Sequence, residues 1–176
     1  MKKMDNRYPI GQFKIDTEIT DEVRNRWINE IIETPRNLRK VVESLTQEQL
    51  DTPYRPGGWT ARQVVHHLGD SHLNGYIRFK LALTEEQPTI KLFFEDRWAN
   101  LKDYQIMDVE LSLVFMEILH QRWYTLLISL KPEDFQRTFY HPESGVLSLN
   151  TALGLYAWHG RHHIAHIASL LNESIV

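Results

Sequence analysis

Apolar side chains recur at intervals of three and four residues in four long stretches of the chain. From Ile19 to Leu45 the positions Val23, Trp27, Ile31, Leu38, Val41, Val42 and Leu45 keep that spacing, which places them on one face of a helix at 3.6 residues per turn. Pro35 inside the stretch is expected to kink or reset it. A breaker follows, Asp51-Thr-Pro-Tyr-Arg-Pro-Gly-Gly58, and then Thr60 with Gln63 three residues on. A hydroxyl and an amide at that spacing satisfy two orphan backbone donors reciprocally, so a second helix is expected to start there and run toward Thr84, with Pro88 ending any continuation. The third stretch covers Val109 to Leu130, with Leu111, Val114, Phe115, Ile118, Leu119, Trp123, Leu126 and Leu127 as its expected buried stripe. The fourth opens near Ser148 and reaches Asn172.

The intervening segments show no lasting period. The stretch to Thr17 is expected to be an extended arm packed on the body or on a partner. Between Pro88 and Met107 the aromatic residues Phe93, Phe94, Trp98 and Tyr104 fit a partly ordered loop with a short helical piece, and a connection that long is uncommon unless it covers something. It is expected to act as a lid or a subunit contact. The segment from Pro132 to Gly145 is expected to be a loop, since no alternating strand pattern is present. Four long helices joined by loops predict an all-α protein, an up-and-down type four-helix bundle with long connecting loops, as one domain over residues 1–176.

The composition sharpens the chemistry. The chain has 176 residues, nine histidines and no cysteine, so disulfides, thiolate metal sites and a cysteine nucleophile are excluded, and any metal must be held by nitrogen and oxygen. A net charge of −3 and a pI near 6.3 supply no basic field for a nucleic-acid partner. The N-terminus lacks the apolar run of a secretory signal and no stretch approaches the ~20 apolar residues of a membrane span, so a cytoplasmic protein without a membrane partner is expected.

Seven of the histidines fall in two windows: His66, His67 and His72, then His159, His162, His163 and His166. On a helical wheel His159 and His163 lie nearest the apolar arc of the fourth helix, and histidines at i and i+4 aim their ring nitrogens at one point. The 159/163 pair is therefore favoured over 162/166. On the second helix His66 lies about 150° from the centre of the apolar arc and is expected to be solvated, whereas the wheel does not choose between His67 and His72 as the third ligand.

The run Pro53 to Leu68 (PYRPGGWTARQVVHHL), the run Trp158 to Ile167 (WHGRHHIAHI) and the shorter stretches Tyr8-Pro9-Ile10-Gly11, Tyr76 to Leu81 and Phe139 to Pro142 resemble the DinB/YfiT-like superfamily of four-helix metal proteins, in its YfiT branch. The resemblance implies one ligand from a histidine directly before a leucine on the second helix and two from a His-x-x-x-His on the fourth: His67, His159 and His163. It also implies a homodimer. His72, His162 and His166 become candidates for holding the ligands in place.

Three imidazoles with an open fourth position make a catalytic rather than a closed metal site, and suit zinc, or alternatively nickel, better than the oxygen-seeking magnesium or calcium. Such a metal activates water, which gives a hydrolase, or the thiolate of a low-molecular-weight cosubstrate, which gives an S-transferase. The resemblance implies both activities: relatives in the YfiT branch are described as metal-dependent hydrolases, and others as bacillithiol-type S-transferases. A non-enzymatic dimeric bundle with a structural metal is the remaining alternative. No general base is identifiable: the glutamate of His-Glu-x-x-His is missing from both pairs, and Glu117-Ile-Leu-His120, lacking the second copy that a di-iron bundle needs, is expected to be an accident of helix surface. Asp70 is either a group that orients a ligand or a solvated carboxylate. Arg78 and Asn74 project on the His67 side, where they could meet a small anionic substrate.

Overall fold

In a computed structural model, which describes residues 6–15 and 18–172, four long helices form the body: α1 (Asp21–Val42), α3 (Ala61–Thr84), α6 (Val109–Ile128) and α7 (Leu149–Asn172). Each starts where a cap or a turn commands it. Thr20 accepts from the Val23 amide, Thr60 and Gln63 close both bonds of the expected capping box, and Asp108 accepts from the Glu110 amide. These side chains satisfy amides that have no partner inside the helix. α1 continues through Pro35 to Val42.

The packing order is not the chain order. α6 and α7 each lie against both α1 and α3, which leaves α1 diagonal to α3 and α6 diagonal to α7. Both diagonal steps need a connection long enough to cross one end of the bundle. Residues 43–60 supply the first, including a short helix α2 (Gln47–Leu50) whose Thr46–Gln49 capping box repeats the Thr60–Gln63 pattern of α3. Residues 129–148 supply the second, with a 3-10 turn Asp134–Gln136 and a hairpin of β1 (Thr138–His141) and β2 (Gly145–Ser148). The hairpin corrects the expected loop. Thr138 pairs with Ser148 and His141 with Gly145, and Gly145 takes the positive φ of 76° that the turn requires.

The connection after Pro88 is more ordered than expected. Its Ile90 amide donates to Tyr140 O at 3.0 Å and the Tyr140 amide to Pro88 O at 2.9 Å; the segment then forms α4 (Glu95–Ala99) and α5 (Lys102–Ile106), both against α3. At the other end of the chain Trp158 Nε1 donates to Gly11 O at 3.2 Å and Phe13 lies beside Trp158, so the described part of the N-terminal arm packs on α7. The rest of the expected arm lies outside the described residues.

The buried stripe of α6 needs correction. Leu111 is 60% and Ile118 57% exposed, with Val114 and Phe115 also open to solvent. The buried face carries Ser112, Leu113, Met116, Leu119, His120, Trp123 and Leu127. A helix that is apolar on two sides gives no moment to orient it, and the face turned inward is the one whose Ser112 and His120 meet His66 and His72 in the interior. Two apolar clusters fill the bundle, one around Trp27, Phe79, Trp123 and Leu153, the other around Leu38, Leu68, Met116 and Ile167. Between them the buried side chains of the four helices turn polar at Thr34, His72, His120 and His163. Among the described residues no helix is long and apolar enough to cross a membrane.

Candidate metal centre

The polar layer is where α3 and α7 bring three imidazoles together. His67 Nε2 lies 3.2 Å from His159 Nε2, the His159 and His163 rings have centroids 4.5 Å apart, and one ring nitrogen of each of His67, His159 and His163 falls within 4.8 Å of the other two. Alternation along α7 explains the pair: four residues advance a helix by slightly more than one turn, so both rings lean to one side. The structure thus joins the three positions singled out in the sequence and places His72 behind them rather than among them.

Burial sets the protonation of the cluster. It pushes the His67 imidazole down to about 3, with His162 adding to the shift, and holds His159 and His163 well below their ordinary value. Neutral rings keep a bare nitrogen, which is the form a metal binds. Three converging imidazoles without a carboxylate or thiolate among them fit a borderline divalent ion such as zinc or nickel.

The site opens onto a cavity of about 770 Å³. The Trp59 ring centroid lies 4.7 Å from that of His67, Phe93 is stacked with the same imidazole at 5.8 Å, and Trp98 meets Phe93 edge-on. The connection after Pro88 therefore supplies part of the cavity wall beside the His67 ring. Arg78 also lines the cavity, where it donates to Tyr156 Oη at 3.0 Å; among the described residues no carboxylate lies within salt-bridge distance of it. Asn74 does not join it, since its side-chain amide donates to the Asp70 carbonyl one turn back.

Other positions are corrected. His66, expected in solvent, is 2% exposed, with Nδ1 at 2.8 Å from Ser112 Oγ and its ring beside Tyr104. Its partners come from α5 and α6, which a wheel of α3 alone does not show. Asp70 is half-buried and makes no hydrogen bond to the three clustered histidines: it accepts from Tyr104 Oη at 2.5 Å, and burial raises its carboxyl. His162 is buried against Trp158 at 4.3 Å between ring centroids, and His166 stacks on Tyr54 at 4.1 Å.

The residue the sequence undervalued is His120. It is fully buried, with Nε2 at 3.0 Å from His72 Nδ1 and Nδ1 at 2.5 Å from Ile31 O, while Glu117, its supposed companion, is bound by Arg39 on the surface. Trp123 one turn on was the available signal that this face points inward.

A protein from Oceanobacillus iheyensis named "Putative metal-dependent hydrolase" is 57% identical over 167 residues, covering 95% of this chain and 96% of the relative. One of the same name from Bacillus mycoides is 58% identical over 166 residues, covering 94% and 95%. Among solved structures, YfiT from Bacillus subtilis, described as "a probable metal-dependent hydrolase with an unusual four-helix bundle topology", superposes with a TM-score of 0.93 at 50% identity, covering 96% of this chain and 97% of that one. The sequence pattern of the DinB superfamily matches residues 30–167, a span that includes all three clustered histidines, and the chain belongs to that superfamily.

Proposed function

We propose that the chain is a metal-dependent hydrolase of small molecules, with His67, His159 and His163 as the ligands of a zinc ion, nickel being the alternative. The convergence of three neutral imidazoles at the wall of an open cavity is the observation that carries this reading. A divalent metal in such a three-nitrogen site with an open position lowers the pKa of a coordinated water to about 7. The chain's own part is to hold the three rings neutral by burial, to screen the His67 side from bulk water with Trp59 and Phe93, and to present Arg78, steadied by Tyr156, to an anionic group of the substrate.

The same guanidinium favours one second reading, in which the cavity takes a low-molecular-weight thiol bearing carboxylates and the chain is an S-transferase. The zinc-loaded protein, assayed on an activated ester and on a halogenated aromatic with and without a small thiol, separates the two. Turnover of the ester without thiol, lost in His159→Ala, supports the hydrolase. Turnover that requires thiol replaces it with the transferase, and no turnover of either kind by the zinc- or the nickel-loaded protein contradicts both.

The outward row Leu111, Val114, Phe115 and Ile118 on α6 supports a homodimer, since contiguous exposed apolar surface marks an interaction site and two copies of one row can pair about a two-fold axis. Sedimentation equilibrium is expected to give two chains per particle for the wild type and one for Ile118→Lys.

A further inference from the structure

Pro35 sits in the middle of α1, where a proline has no N–H to donate to the carbonyl four residues earlier. That carbonyl belongs to Ile31, a residue with no exposure to solvent, so its usual helical donor is absent and water cannot replace it. His120 of α6 fills the gap: its Nδ1 lies 2.5 Å from Ile31 O. A carbonyl only accepts, so His120 carries its proton on Nδ1, and with the ring neutral its Nε2 is bare. His72 Nδ1, 3.0 Å from that nitrogen, must then be the donor, which leaves His72 Nε2 bare. His159 Nδ1 lies 3.2 Å from it and donates in turn. The last nitrogen, His159 Nε2, is the one that faces His67.

We propose that Pro35, His120 and His72 are positioning residues of the metal centre: the carbonyl freed by the proline fixes the tautomer of His120, and two further hydrogen bonds pass that polarity to His159, whose Nε2 is left bare toward the metal. The inference rests on the metal-binding reading of the three histidines, but the polarity of the chain of rings follows from the carbonyl alone. The other α7 ligand shows the same design independently. His166 Nε2 lies 3.3 Å from the Arg7 carbonyl and its Nδ1 3.3 Å from His163 Nδ1, which makes His163 a donor through Nδ1 and bares its Nε2. Thus both ligands of α7 are tied, through other histidines, to backbone carbonyls, while His67 Nδ1 is buried without a partner. A ring whose proton is fixed in this way presents its lone pair in one orientation, and loss of such a partner typically weakens metal binding about 10–100-fold.

The test begins on the metal-free wild type, labelled with ¹⁵N-histidine and observed by long-range proton–nitrogen correlation at pH 7.5. His120, His72 and His159 are expected to carry the proton on Nδ1; a proton on His159 Nε2 overturns the proposal. This outcome is independent of whether metal binds, so a wild type that takes up no Zn²⁺ sinks the metal-binding reading without touching the tautomers. Zn²⁺ competition against a chelator then gives the second readout. In His120→Met the dissociation constant is expected to rise about 10–100-fold with the helical circular dichroism retained, and a value within twofold of wild type overturns the role of His120. Should that variant fail to fold, the tautomers of the wild type decide. Pro35→Ala returns an N–H to Ile31 O, so it is expected to resist urea at least as well as wild type while binding Zn²⁺ severalfold more weakly; unchanged Zn²⁺ binding removes the proline from the proposal.

Discussion

Histidine at position 67 and histidine at position 66 are neighbours in sequence with opposite roles. His67 Nε2 lies 3.2 Å from His159 Nε2, while His66 Nδ1 lies 2.8 Å from Ser112 Oγ. His67→Ala and His163→Ala are each expected to remove most of the bound metal. His66→Ala is expected to keep it while costing about 1–3 kcal/mol of stability for the buried hydroxyl left without its partner; elemental analysis beside urea unfolding separates the two effects. Acid acts on the same groups. His67 is held down at about 3 and His120 at about 4 by burial, against about 6.5 in the unfolded chain. The unfolded chain therefore binds the extra protons, so the stability these rings contribute is fully present above about pH 6.5 and is lost as pH falls through the window toward 3–4. Between pH 7 and 5 the metal-free protein should lose about 2 kcal/mol per such ring, seen as a falling urea midpoint. A midpoint that holds steady over that range contradicts the burial account. At this scale the i, i+4 spacing made His159 and His163 legible, and the resemblance singled out His67. His120 was not legible, because a lone histidine on an apolar helix carries no sign of which side faces inward.

Helices α1 and α7 approach closely beside the site. A Cβ on Gly160, which lies between His159 and His163 in the chain, would meet Thr34 Oγ1 at 2.8 Å and Cγ2 at 2.9 Å. The hydroxyl is committed to Glu30 O, so it has little freedom to move aside. Gly160→Ala is expected to cost about 1–3 kcal/mol by overpacking and to weaken Zn²⁺ binding, because α7 must shift with His159 and His163 on it; urea unfolding and chelator competition check the two parts. The four long helices were legible from period and caps to within a few residues at each end. The inward face of α6 was not, since Leu111, Val114 and Ile118 compete with Leu113, Met116 and Leu127 on hydrophobicity alone. Nor was the hairpin after Phe135, where four-residue strands leave too few positions for alternation to show.

As a whole molecule the bundle stands on two apolar clusters with the histidine layer between them. A core of that extent is expected to fold without a metal. Treatment with a chelator is therefore expected to leave the helical circular dichroism intact while abolishing turnover, and loss of the helical signal would make the metal structural. The diagonal placement of α1 against α3 was invisible in the sequence, because periodicity orients a helix toward a core without saying which neighbour lies there. The central claim is that His67, His159 and His163 bind one metal ion together. Elemental analysis of zinc-equilibrated, folded variants tests it most directly: about one equivalent is predicted for the wild type and for His162→Ala, and little for His159→Ala. Equal metal in wild type and His159→Ala, or equal loss in His162→Ala, would contradict it.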